Sequence, residues 1–127
     1  VPMILDTCAL LWLATGNKKL RRAALKEINK APAVYVSAIS GFEISLKTCK
    51  GKLELSHPIR EWFERVTEHH GLTILPLELD VCIAAGELPA IHDDPFDRFI
   101  IATAKLHDLP VVTVDERFEK YGIAVIN

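Results

Sequence analysis

The chain reads as an α/β protein, a single domain over residues 1–127 with a mainly parallel five-stranded sheet flanked by helices on both faces. Apolar runs alternate with segments of helical period, which is the pattern of a βα repeat. The runs are short and rich in Val and Ile, as strands covered on both faces tend to be. Pro58, Pro76, Pro89 and Pro110 fall at the joins between segments. There is no internal repeat, low-complexity tract or linker that would divide the chain.

Taken in order, Met3–Leu5 is the first expected strand, and Leu20–Lys30 is expected to be helical. Val34–Val36 is the second strand, followed by a helix-like segment that carries Glu43. Ile59–His70 is the clearest helix, because Ile59, Trp62, Phe63 and Val66 fall at i, i+3, i+4 and i+7 on one face. Thr73–Leu75 is the third strand. Leu79, Cys82, Ile83 and Gly86 repeat the helical stripe and predict another inward-facing helix. Phe96, Ile100, Thr103 and Ala104 predict one more, ending near His107-Asp108 ahead of Leu109-Pro110. Val111–Val114 and Ala124–Ile126 complete the five strands.

Composition narrows the function classes only a little. Half of the 127 residues are hydrophobic and a quarter are charged, and no run is long enough to span a bilayer. The N-terminus shows no basic segment followed by an apolar one, so a cytoplasmic location is expected. Cys8, Cys49 and Cys82 are odd in number and widely spaced, which predicts free, buried thiols and no disulfide or zinc site. A net charge of −2 speaks against a broad basic nucleic-acid-binding surface. It leaves room for an enzyme whose acidic site offsets local basic patches.

The acids carry the functional signal. Asp6 follows Met3-Ile4-Leu5, and Asp115 follows Val111-Val112-Thr113-Val114. Glu43 lies just inside a helix after Val34-Tyr35-Val36, and Asp97 opens another within Asp94-Pro95-Phe96-Asp97-Arg98. Strand, acid, helix is the order that places carboxylates at the carboxyl edge of a parallel sheet, where α/β proteins bind ligands. Carboxylates gathered there repel one another by roughly 4 kcal/mol per pair at ~4 Å and an effective dielectric near 20. Protons or a hard divalent cation with oxygen ligands would neutralise such a cluster. Each acid, taken singly, also has a capping reading: Asp6, Asp94 and Asp115 as N-caps, and Ser40-Gly41-Phe42-Glu43 as a capping box. Capping does not explain acids at nearly every strand exit, nor Thr7 and Thr113 beside them, whose hydroxyls are suited to orient a carboxylate or a water. Helix N-termini at the same edge favour a phosphate. The combination points to metal-assisted phosphodiester hydrolysis.

The landmarks Met3-Ile4-Leu5-Asp6-Thr7, Val36-Ser37-Ala38-Ile39-Ser40 leading to Glu43, Lys50-Gly51-Lys52-Leu53-Glu54-Leu55, His92-Asp93-Asp94-Pro95-Phe96-Asp97-Arg98 and Thr113-Val114-Asp115 span essentially the whole chain. In order and spacing it resembles the PIN-domain ribonucleases, and specifically the VapC-type toxins of toxin–antitoxin pairs. The resemblance implies a Mg²⁺ or Mn²⁺ site built by Asp6, Glu43, Asp97 and Asp115. Asp6 and Asp97 would be the central ligands, with Glu43 and Asp115 binding through water or helping to position the nucleophile. It also implies an RNA substrate, an antitoxin partner and a homodimer.

The remaining candidates have two readings each. Arg98 is a phosphate contact or a salt bridge that holds its helix start, and His92 is expected to be a loop histidine with structural hydrogen bonds. Lys47 and Lys50 are assigned to RNA contact, whereas Lys18, Lys19, Arg21 and Arg22 read as solvated helix faces. Leu10, Leu11, Trp12 and Leu13 are apolar all round, enough for core packing plus an exposed patch for an antitoxin helix or a second protomer. Two rival classes stand beside the toxin: an RNA-processing PIN nuclease without an antitoxin, and a phosphotransfer or binding module. The phosphotransfer pattern lacks its second acid, because position 8 is Cys, and no Lys follows Val111–Val114.

Overall fold

The computed structural model describes residues 1–127 and centres on a five-stranded, all-parallel sheet in the order β3-β2-β1-β4-β5. The strands are β1 (Met3–Leu5), β2 (Val34–Ser37), β3 (Leu72–Leu75), β4 (Val111–Val112) and β5 (Val125–Ile126). The helices are α1 (Thr7–Thr15), α2 (Arg22–Lys30), α3 (Ile39–Cys49), α4 (Ile59–His70), α5 (Leu79–Glu87) and α6 (Pro95–His107), and Glu116–Tyr121 forms a 3₁₀ turn. All five expected strands are present. The last two are shorter than their apolar runs; past β4 the Thr113 hydroxyl accepts the Asp115 N–H as the chain turns away.

The chain steps outward from β1 to β2 to β3, then returns to lay β4 against the other side of β1. The reversal opens a crevice between the carboxyl ends of β1 and β4, the position at which open α/β sheets bind ligands. Leu5 pairs in register with both Val36 and Val112, so Asp6, Ser37 and Thr113 come level with one another at the carboxyl edge.

Strand alternation divides the core. Met3, Leu5, Val34, Val36 and Val112 pack with Leu10, Leu13, Ala24, Ile28, Trp62 and Val66 of α1, α2 and α4. Ile4 and Val111 face the other way, onto Ile100, Ile101 and Ala104 of α6 and Phe118 of the 3₁₀ turn. Ile4, Leu5 and Val111 are fully buried, and burying each such side chain contributes roughly 1.5–3 kcal/mol. α4 presents Trp62 and Val66 to the core with Ile59 and Phe63 at its margin, as its spacing predicts.

α5 overturns the expected stripe. Leu79 and Ile83 are 74% and 50% exposed, and Cys82 and Gly86 are exposed as well. The buried residues are Val81 and Ala85, which pack on Ala102 of α6 with Ala84, Leu88 and Phe99 around them. Small side chains let α5 approach α6 closely, so the compact face turns inward and the bulkier one outward. The thiols also differ from expectation: Cys8, Cys49 and Cys82 are all free and all exposed. In α1, Leu10 and Leu13 are core, whereas Leu11 and Trp12 are half-buried and border a groove of about 330 Å³ with Leu53, Leu55 and Trp62.

Candidate metal centre

Asp6 begins at the end of β1, where its own N–H still pairs with the Val112 carbonyl at 3.1 Å. It caps α1, Oδ1 accepting the Ala9 N–H at 2.8 Å, so the capping reading holds for this residue. It is also only 6% exposed. Burial drives its carboxyl pKa up to about 6, partly opposed by hydrogen bonds from Thr113 and Ala9, with Glu43 and Asp115 pushing it further up.

Glu43 is equally buried, on the second turn of α3. No capping box forms: the cap residue is Ala38, the Ser37 hydroxyl accepts the Ile39 N–H, and the Ser40 hydroxyl pairs with Thr7 Oγ1 at 2.9 Å. Glu43 Oε2 accepts from Lys47 Nζ at 2.9 Å, one turn on, while Oε1 is buried without a partner. Thr7 therefore ties the start of α1 to the start of α3 and does not touch a carboxylate. Thr113, fully buried, accepts the Asp115 N–H through its hydroxyl, which also lies near enough to Asp6 to lower that carboxyl's pKa.

Asp94 caps α6 by accepting the Phe96 N–H at 2.9 Å, with Pro95 on the first turn. This leaves Asp97 free to turn to the crevice. Its carboxyl pKa is raised to about 7, first by burial and then by the charges of Asp94, Asp6, Glu43 and Asp115. Asp115 caps the 3₁₀ turn, and its carboxyl is held below the usual range chiefly by Arg117. The guanidinium clamps it through Nε at 3.0 Å and Nη2 at 2.7 Å. Asp6, Glu43 and Asp115 all lie close enough for their charges to raise the Asp97 carboxyl, and the ligand-type atoms that come within 4.8 Å of one another are those of His92, Asp97 and Asp115.

Other residues sit differently from expectation. Arg98 makes neither a phosphate-facing contact nor a salt bridge. Its donors reach the carbonyls of Ala85, Gly86, Leu88, Pro89 and His92 at 2.8–3.3 Å. It closes the carboxyl end of α5, which has no basic residue of its own in its last turn. Lys50 is exposed at the end of α3. Lys18 and Lys19 lie beyond the far end of α1, a nine-residue helix about 13 Å long whose start carries Asp6.

Three residues near the acids carry no strong signal in the sequence. Arg117 sits two residues after Asp115. Cys8, although exposed by surface area, has its thiol pKa lifted to about 11, first by partial desolvation where it packs beside the acids and then by the charges of Asp6, Glu43 and Asp97, with Lys47 opposing. His92 is 3% exposed, and its Nε2 lies 2.8 Å from Asp97 Oδ2 and 3.3 Å from Asp115 Oδ2. Neither oxygen is aligned with the ring N–H, which is left buried without a satisfied hydrogen bond. Only its place in the His92–Arg98 segment could have marked it.

The PIN domain family matches residues 3–124. The chain is 30% identical over 120 residues to Ribonuclease VapC22 of Mycobacterium tuberculosis, covering 94% of this chain and 91% of the relative. In fold it is similar to VapBC2 from Rickettsia felis bound to a promoter DNA fragment, with a TM-score of 0.75 and 15% identity across 100% of this chain and 98% of that one. A toxin–antitoxin complex from Klebsiella pneumoniae gives a TM-score of 0.67 and 21% identity, covering 98% of this chain and 96% of that one. The family match, the identity to VapC22 and the fold agree along the whole length: the chain belongs to the PIN-domain family, in its VapC branch.

Proposed function

We propose that this protein is a divalent-cation-dependent endoribonuclease, the toxin of a toxin–antitoxin pair. The observation that carries the reading is the convergence of Asp6, Glu43, Asp97 and Asp115 at the switch point, with Glu43 Oε1 buried and unpartnered. An oxygen donor set with an orphaned carboxylate oxygen fits a hard cation such as Mg²⁺, with Mn²⁺ as substitute. Asp6 and Asp97 are its central ligands, and Glu43 and Asp115 complete the site. The cation, when bound, supplies Lewis acidity for activating water and neutralises charge at the scissile phosphate.

The chain's own residues prepare that site. Thr113 and the Ala9 N–H hold the Asp6 carboxylate. Lys47 occupies one oxygen of Glu43 and leaves the other open. Because burial and mutual repulsion raise the proton affinities of Asp6 and Asp97, a cation must compete with protons for both carboxyls, and it binds more tightly as pH rises through about 6 to 7. Lys47, in the last turn of α3, and Lys50, just past its end, hold RNA phosphates.

The relative is named a ribonuclease, and the solved neighbours include toxin–antitoxin complexes. Carried to this chain, they support an RNA substrate and an antitoxin partner, with the half-buried Leu11 and Trp12 and the groove beside them available for an apolar helix. A homodimer acting in the cytoplasm is part of the same reading, and no helix is long and apolar enough to cross a membrane. The test is cleavage of a structured RNA by antitoxin-free protein in Mg²⁺, Mn²⁺ or EDTA, beside Asp97→Asn. Cleavage that needs the cation and is lost in the variant is expected. Cleavage that survives both EDTA and the substitution would overturn the reading.

A further inference from the structure

We infer that His92 is a positioning residue for the cation site: a fixed N–H donor that presets Asp97 and Asp115, and not itself a ligand. This rests on the metal-dependent reading above. Three observations support it.

First, His92 is held from every side. Its N–H donates to the Tyr121 hydroxyl at 2.8 Å, and that hydroxyl in turn donates to the Pro89 carbonyl. Its carbonyl accepts from Arg98, and its ring packs edge-on against Phe118 at 6.1 Å between centroids. Such restraint exceeds what a loop histidine needs, and it fixes where the imidazole edge points.

Second, the tautomer is set locally. Nδ1 accepts the Asp94 N–H at 3.3 Å, so it carries no hydrogen and the ring proton sits on Nε2. A nitrogen that bears its proton is a donor and offers no lone pair to a metal. His92, Asp97 and Asp115 place their ligand-type atoms within 4.8 Å of one another, which superficially suggests a three-ligand site, but the tautomer excludes the imidazole from it.

Third, Nε2 approaches both carboxylates within contact distance while aligned on neither. The ring is fixed, so it is the Asp97 carboxylate, held by no other hydrogen bond, that turns onto this buried N–H. Asp97 and Asp115 come from different elements, α6 and the turn after β4, and His92 is the side chain that touches both. Donation to Asp97 Oδ2 leaves Asp97 Oδ1 for the cation, as outer partners of metal ligands commonly do, while both oxygens of Asp115 are also held by Arg117.

The test measures Mn²⁺ binding directly, by the loss of the free-ion electron spin resonance signal, in wild type, His92→Phe, His92→Gln and Asp6→Asn. His92→Phe should weaken binding about 10- to 100-fold. His92→Gln restores an N–H near the Nε2 position and should recover most of that affinity. Unchanged affinity in His92→Phe would overturn the inference. So would equal loss in both His92 variants with native melting temperatures, or a directly coordinated nitrogen in the spin-echo spectrum of the Mn²⁺-loaded wild type. If His92→Phe does not fold, the Gln variant and that spectrum decide. Should wild type and Asp6→Asn alike bind no Mn²⁺, it is the metal-dependent reading that fails.

Discussion

Replacing Asp97 with Asn should make the cation-free protein more stable and the cation-loaded protein less so. The Asp97 carboxyl rises from 3.8 to about 7 on folding. The folded state therefore holds this proton more tightly than the unfolded chain does. Stability from the protonated group is fully present below pH 3.8 and is lost progressively as pH rises through about 7. At about 1.4 kcal/mol per pH unit, the full displacement corresponds to roughly 4 kcal/mol. The carboxylate is partly open to solvent, with 18% of its side chain exposed, so about 2 kcal/mol is the working figure after screening. Asn removes the charge and keeps an oxygen that can accept from His92. In EDTA at pH 8 the variant should melt about 5–8 °C above wild type, shrinking to about a third of that at pH 5. Saturating Mg²⁺ should reverse the order. At a hundred times its dissociation constant, the cation stabilises wild type by about 2.7 kcal/mol and should stabilise the variant little. Differential scanning calorimetry over pH 5–8, with and without Mg²⁺, reads all of this. A variant no more stable than wild type at pH 8 in EDTA would refute the claim that repulsion and burial strain this carboxylate.

Three further perturbations probe the scaffold and the approach to the site. Arg98→Lys replaces a planar fork that reaches five carbonyls with a single ammonium, and urea denaturation should show a loss of about 2–3 kcal/mol. An unchanged midpoint would mean that the loop holds without that clamp. Lys50→Ala should weaken RNA binding at low salt and reduce the slope of log affinity against log salt by about 0.7–0.9, with melting unchanged; an identical slope would remove Lys50 from the RNA path. Leu79→Ser should leave the melting temperature of the monomeric chain within the effect of about 0.5 kcal/mol, because the side chain is 74% exposed. A loss near 2 kcal/mol or more would restore the inward-facing stripe.

Local patterning in the sequence was enough to specify the strand order along the chain, the α4 face and the acids at the strand exits. Each of these depends on residues a few positions apart: an apolar run short enough to be a strand, a 3.6-residue period, an acid where strand turns to helix. Even the Asp94 cap was legible, because Asp followed by Pro is a helix start in its own right. What tertiary structure decided depends on residues far apart. α5 is apolar around much of its circumference, so its period could not say which side met α6; the small side chains Ala85 and Ala102 made the closer fit. Ser40 and Glu43 have the spacing of a capping box, but Thr7 and Lys47 supplied better partners from across the crevice and one turn on. Arg98 beside Asp97 suggested electrostatics, whereas folding put five carbonyls of another helix end and loop around its guanidinium. His92 acquired its place between Asp97 and Asp115 only when α6 and the turn after β4 were brought together by the reversal of the sheet. Sequence alone determined which acids fall at the strand exits. The packing of distant elements decided which groups point into the site and which merely hold it, because a buried donor must take the acceptor that the fold places in reach.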